Sequence, residues 1–337
     1  MDTNLFAGIG LALVAGITMG NCLLPMKWAR NWKWENLWLV FSLLSLLVIP
    51  MGLAFFLLPN LAAVYASLPL RSMLVPFLFG AGWGIAQIGA GLCVSRIGLA
   101  LTMSLLIGVG AASGTIIPLA PLHPAALVET RSLLILTGTV VMLVGVAMCA
   151  RAGRQREKTA EHAPAAAGYR RIVLLALVSG ILSSLLNFAL AFGGEIVQLA
   201  QAQGARKAFA PFAVWPIALL GGLFVNVGYS CYLLTRNKTW GNFRKPRGEI
   251  LNPVLMGVMW MGAIAMYSSG STYLGVLGVS IGWALFQIAI IMASNASGLL
   301  TGEWRRLESR ICRANLAGVA VLFLAIIVIG VANWFTE

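Results

Sequence analysis

The chain has 337 residues, 60% hydrophobic and 10% charged, where a soluble domain carries roughly a quarter charged residues, so an ordinary soluble fold is excluded. Thirty-seven glycines fit helices that approach one another closely inside a bilayer. The net charge of +13 invites a nucleic-acid reading, which the placement of the charges removes.

Apolar runs of about twenty residues predict ten spans in chain order. They lie at 5–26, 36–58, 73–94, 99–120, 132–150, 171–193, 210–234, 251–270, 274–298 and 314–334. Nothing basic precedes the first run and no small-x-small site follows it, so it reads as a span and not as a cleaved leader. The odd-numbered connections hold Lys27, Arg30 and Lys33, then Arg96, then the group from Arg151 to Arg171. Further along they hold the groups from Arg236 to Arg247 and from Arg305 to Arg313. Only Arg71, Arg131, Arg206 and Lys207 fall in the even-numbered ones. By the positive-inside rule the odd connections face the cytoplasm and both termini face outward. The basic excess is therefore topological, with the lipid bilayer as the partner and no nucleic acid.

Two echoes divide the chain. Residues 11–17 read Leu-Ala-Leu-Val-Ala-Gly-Ile and residues 175–181 read Leu-Ala-Leu-Val-Ser-Gly-Ile. Gly80, Trp83 and Gly98 recur as Gly257, Trp260 and Gly275 at one constant offset. Residues 1–150 then form a first five-helix repeat, 151–171 a basic cytoplasmic linker with Pro164, and 172–337 a second repeat. An odd number of helices per repeat inverts the second relative to the first. The expected fold is all-α integral membrane, ten transmembrane helices as two inverted five-helix repeats, the architecture of secondary transporters.

Chemistry-bearing residues are few. Cys22, Cys93, Cys149, Cys231 and Cys312 show no pair spacing, and His123 and His162 lie far apart, so no metal site, disulfide framework or cofactor is indicated. An enzyme needs a convergent acid, base, nucleophile or metal set, and the inventory is too poor for one. Polar side chains within the spans are the informative minority, because an unsatisfied polar group in hydrocarbon is costly. Trp83 and Gln87 stand four apart in the third span; Trp283 and Gln287 repeat the spacing in the ninth, with Ser280 on the same stripe. The eighth adds Trp260 and Tyr267, and the first and sixth add Asn21 and Asn187. A ring beside an amide suits a neutral sugar: the ring covers the C–H face while the amide both donates to and accepts from hydroxyls. The competing reading is an interfacial aromatic belt with amides tying helices together. Trp28, Trp32, Trp34, Trp38, Trp240 and Trp304 are assigned to the belt, and Asn226 and Asn295 to helix ties.

Of ten carboxylates none falls in mid-span, and Glu195, after Phe192-Gly193-Gly194, comes closest. It is the candidate cation-coupling residue, because a carboxyl whose environment changes can load and release a proton. Glu35 reads as a first-turn acid favoured by the helix dipole, and Glu303 as a partner of Arg305 or Arg306. Pro76, just before Gly80, Gly82 and Gly84, is the candidate hinge.

The segment Asn31-Trp32-Lys33-Trp34-Glu35-Asn36-Leu37-Trp38 resembles the Lys-Trp-x-Trp-Glu-x-x-Trp segment of the L-rhamnose–proton symporter family, within the drug/metabolite transporter superfamily. So do residues 77–85, 187–193 and Gly302-Glu303-Trp304. The resemblance implies ten helices in a bacterial inner membrane and import of L-rhamnose or a related 6-deoxyhexose with a proton or sodium. Residues 275–280 hold no acid where the family pattern has one, and Gln87-Ile88-Gly89 and Thr102-Met103-Ser104 also depart from it, which admits another deoxysugar such as L-fucose. The alternative function is an exporter or carrier of another small neutral metabolite in the same superfamily.

Overall fold

The computed structural model describes residues 5–97, 99–118, 121, 129–159, 169–244, 247–300 and 309–331. Gly98, His123, His162, Glu303, Trp304 and the central part of the linker lie outside them. The described residues are helical almost throughout and contain no strand. Within hydrocarbon this is the expected outcome, since a helix satisfies its own backbone groups.

The helices are α1 (Leu5–Asn21), α2 (Trp34–Leu43), α3 (Ile49–Leu57), α4 (Leu61–Ala66), α5 (Leu70–Ile97), α6 (Leu99–Ile116) and α7 (Thr130–Thr159). They continue with α8 (Tyr169–Ser183), α9 (Leu185–Ala191), α10 (Gly194–Ala202), α11 (Trp215–Arg236), α12 (Leu251–Ser271), α13 (Gly278–Leu300) and α14 (Ser309–Val331). Among the described residues nine segments are long and apolar enough to cross a membrane. The fourth expected span is the exception: α6 contributes a shorter apolar stretch, Leu105–Ile116. Two boundaries differ from the sequence reading. Helix α7 runs on to Thr159, into the expected linker, because Arg, Ala, Gln, Glu and Lys, which fill all of 151–158 but Gly153, are good helix formers once the chain has left the apolar run. The sixth span breaks at Ser184 and continues through α9 and α10 to Ala202.

Between α2 and α3 the chain makes a wider π-turn, Leu44–Val48, immediately before Pro50, whose missing N–H interrupts the regular ladder. Pro76 sits inside α5, which continues past it. Large apolar side chains face outward, Phe56 and Leu300 each at 82% exposure. In water such a surface would drive association, whereas against acyl chains it is ordinary.

Small residues decide which helices meet. Gly16 of α1 lies so close to Phe286 and Ala289 of α13 that a Cβ would clash, and Gly180 of α8 meets Val109 and Leu105 of α6. Gly80 of α5 lies against the Ala218 backbone of α11, and Gly257 of α12 against Leu44 and Ser45. The helix contacts are α1 with α12 and α13, α8 with α5 and α6, α5 with α11, α2 with α12, and α7 with α14. The main core lies where α5, α9, α11, α12 and α13 converge, with Trp215, Tyr267 and Phe286 enclosed almost completely.

Candidate functional site

At the centre of this core Trp83 of α5 and Trp260 of α12 face each other, ring centroids 5.4 Å apart and planes tilted by 40°. Both are nearly buried. Phe41 closes the far side of Trp260 edge-on at 6.3 Å, and Gly222 of α11 leaves room for the Trp83 ring, which a Cβ there would meet at 3.0 Å. One turn beyond Trp83, Gln87 is half-buried.

A second group adjoins the first along α12 and α13. Tyr267 stacks on Phe286 at 5.1 Å and meets Trp283 edge-on at 5.7 Å. Its hydroxyl donates to Asn187 Oδ1, with Val279 O an alternative acceptor at 3.2 Å. Asn187 Nδ2 in turn donates to Gly114 O at 2.8 Å, and Trp283 Nε1 donates to Gly110 O at 3.1 Å. Gly110 and Gly114 lie one turn apart on α6, and the glycine at 114 is obligatory in this packing, since a Cβ there would run into the Trp283 indole. Asn187, Tyr267 and Trp283 are therefore engaged with the protein itself and hold α6, α9, α12 and α13 in register.

Four neighbouring groups differ in this respect. The indole N–H groups of Trp83 and Trp260, the Ser280 hydroxyl and the Gln287 amide take no hydrogen-bond partner among the described residues, although their side chains are nearly buried. None of these atoms is fully enclosed, in contrast to the orphaned Thr102 and Thr115 hydroxyls of α6. Donors and acceptors left open in a core that also holds two facing indole rings are what a neutral polyol needs.

Asn21 lies elsewhere. Its Nδ2 donates to Ile17 O at 2.8 Å within α1, its Oδ1 accepts from the Ser297 hydroxyl, and Ser294 Oγ donates to the adjacent Gly20 O at 3.1 Å. Ser297 is ten residues beyond Gln287 on α13, roughly 15 Å along the helix, so Asn21 ties two helix ends and is not part of the central group. Glu195 also lies apart, exposed in the first turn of α10, where it accepts from the Ser72 hydroxyl at the start of α5.

Several residues assigned to the aromatic belt or left unassigned prove to be internal. Trp38 donates its Nε1 to Asn226 Oδ1 at 2.9 Å and stacks on Trp34 at 4.9 Å. Trp32 is buried against Phe243 at 5.1 Å. Trp215, unassigned in the sequence reading, donates to Ser268 Oγ at 3.2 Å. Phe41 and Phe286 were also missed, because a phenylalanine in an apolar span carries no signal separating a core ring from a lipid-facing one. Glu35 is 5% exposed and accepts from Asn237 Nδ2 at 3.1 Å and Thr239 Oγ1 at 2.8 Å, a tighter role than a dipole partner. Among the described residues no His, Cys, Asp and Glu cluster could hold a metal ion.

Relatives give these observations a setting. The L-rhamnose-proton symporter of Shigella dysenteriae serotype 1 is 27% identical over 344 aligned residues, covering 99% of this chain and 100% of the relative. The L-rhamnose-proton symporter of Escherichia coli O1:K1 matches to the same extent. A family profile described as L-rhamnose-proton symport protein (RhaT) matches residues 1–334, and the chain belongs to that family.

Proposed function

We propose that this multi-pass membrane protein imports L-rhamnose, or a related 6-deoxyhexose, together with a proton. The observation that carries the reading is the Trp83–Trp260 pair with open hydrogen-bonding groups beside it, in a chain matched over residues 1–334 by a sugar–proton symport family. The sugar lies across one indole face, with Gln87, Ser280 and Gln287 bonding its hydroxyls. Asn187, Tyr267 and Trp283 shape the wall behind it. A symporter performs no bond chemistry, so these residues bind and position the sugar and none is catalytic.

The site sits between two inverted five-helix repeats, 1–150 and 172–337, joined by the linker. The helix partnerships support this: α1 packs on α13 and α12, and α8 packs on α6 and α5. Those are the partnerships that exchange when the first helix is swapped for the sixth and the third, fourth, eighth and ninth for their counterparts. The echoed glycines follow the same rule, Gly16 and Gly180 in one exchange and Gly80 and Gly257 in the other. Residues equivalent in two repeats touch only at the axis relating them, and Trp83 and Trp260 touch. In this reading the chain crosses ten times, the fourth through α6, so both termini share one side, and the basic connections inside support the periplasmic side of a bacterial inner membrane for them.

Glu195 is the coupling residue in this reading. Its bond to Ser72 links the α10 turn to the start of α5 across the repeats, so loading a proton there weakens a contact that closes the outer face. The test is current from the purified protein in liposomes on a solid-supported membrane after a jump in L-rhamnose without sodium. Inward positive current that a protonophore abolishes supports proton symport. Silence with both L-rhamnose and L-fucose overturns it. Glu195→Gln should abolish accumulation driven by a pH gradient while leaving sugar exchange; intact accumulation removes Glu195 from the coupling role.

A further inference from the structure

The bend between the first and second spans is held to the connection before α12 by one carboxylate. Arg30 and Asn31 follow a 3₁₀ turn and precede α2, so their backbone N–H groups have no helical acceptor. Glu249 supplies one: its Oε1 accepts from Arg30 N at 3.1 Å, Asn31 N at 2.9 Å and Asn31 Nδ2 at 3.1 Å. The same two segments meet again around Asn36. Its Oδ1 accepts from Lys33 N at 3.1 Å and Asn242 Nδ2 at 3.2 Å, and its Nδ2 donates to Thr239 O at 3.0 Å. Glu35 adds its bonds from Asn237 and Thr239, and Trp32 packs on Phe243. Every one of these links except the Lys33 cap joins residues about two hundred positions apart, one from each half of the chain.

We infer that Glu249 is the positioning residue of a latch that closes the basic-loop face of the sugar site, and that the latch opens when the sugar is released on that face. The inference rests on the import reading above, in which the site between the two repeats opens to one face at a time. The equivalent segments at the opposite face are joined by Ser72 to Glu195 and by Tyr65 OH donating to Ala213 O at 2.9 Å, without a carboxylate binding a stretch of free N–H groups. The two faces are thus closed by homologous contacts of different strength, and the basic-loop face is the more firmly held. Latching through Glu249 is reversible. Its donors lie outside the spans, where water replaces the carboxylate on opening, whereas donors within hydrocarbon would be stranded. The carboxylate makes these bonds charge-assisted, so deleting its side chain frees the Arg30 and Asn31 N–H groups together and leaves the Asn36, Glu35 and Trp32 links to hold the junction alone.

The experiment places spin labels at Lys33→Cys and Lys238→Cys in the full chain, native cysteines replaced, reconstituted in lipid. Both lysines are exposed, and neither side chain bonds Glu249. Glu249→Ala should raise the ratio of long to short label distances about tenfold while L-rhamnose binding persists. If Glu249→Ala fails to reach the membrane, Asn242→Ala carries the same expectation with a smaller shift. Unchanged distances in both variants would overturn the latch and leave Glu249 a static staple. Wild-type protein that fails to bind or move sugar would instead overturn the transport reading, since the distances report on the latch whatever the cargo.

Discussion

Trp83 and Trp260 stand at the same place in two similar stretches of sequence, three residues after Gly80 and Gly257, and their rings meet at 5.4 Å. The glycines make this meeting possible. Gly80 lets α5 close onto α11, and Gly257 lets α12 close onto the turn after α2, which brings both indoles to the centre from opposite sides. Trp83→Ala or Trp260→Ala should therefore weaken L-rhamnose binding at least tenfold, about 1.4 kcal/mol, with the Phe variants intermediate. Titration calorimetry on the purified variants checks this, and unchanged affinity would move the sugar elsewhere.

Gln287 makes no hydrogen bond among the described residues, so removing its amide strands no partner there. Gln287→Ala is expected to abolish measurable sugar binding while the thermal transition in detergent stays within about 2 °C of wild type. A fall in both together would make Gln287 a structural tie.

Tyr267 has the opposite profile. Tyr267→Phe keeps the ring on Phe286 but leaves Asn187 Oδ1 without its donor, and should lower stability by about 1 kcal/mol. Sugar affinity should fall less than in Gln287→Ala, because the hydroxyl is spent on Asn187. Thermal melting and calorimetry on one preparation separate the two effects.

Gly114→Ala is expected to cost more than its single methyl suggests. The Cβ would meet the Trp283 indole, which must swing away and give up its bond to Gly110 O. Uptake should drop about tenfold or more, with Trp283 fluorescence shifted to longer wavelength. Unaltered emission and uptake would mean that the α6–α13 contact yields more easily than its close packing implies.

Glu249 provides a pH prediction. Burial pushes its carboxyl up, but hydrogen bonds from Asn31 and Arg30 together with the Arg30 charge outweigh burial and hold it below the usual carboxylate range. A folded value below the unfolded one adds stability above the unfolded value, lost as pH falls through the folded value. The closed distance between labels at Lys33 and Lys238 should therefore hold from pH 7 to about pH 5 and give way only below the ordinary glutamate range, near 4.3. In Glu249→Gln that acid transition should weaken, leaving only the part carried by Glu35 at the same junction. A transition near neutral pH would mean that another group controls the bend.

Periodicity along the chain was enough to place most of the spans, because about twenty apolar residues in a row have few soluble alternatives. The tryptophan–glutamine pairs were legible for a similar reason: at four-residue spacing in an apolar helix, a ring and an amide stand out against Leu, Val and Ala. Asn21 shows where that reasoning stops. It looks like Asn187, yet its bond to Ser297 fixes it at a helix end, while Asn187 is drawn to the centre by Gly114 and Tyr267. Trp32 and Trp38 carry the composition of belt residues and become internal only because Phe243 and Asn226 arrive from the other half of the chain.

By itself the sequence determined that this is a helical membrane protein, with internal likeness between its halves and a family assignment resting on local motifs. All three follow from short-range order: hydropathy, spacing and recurrence. Which amides stay open, which indoles meet, and that Glu249 binds the bend at Arg30 and Asn31 were decided by the tertiary structure alone. Those outcomes depend on contacts between residues far apart in the chain, set by glycine-permitted close approaches in three dimensions that no local pattern encodes.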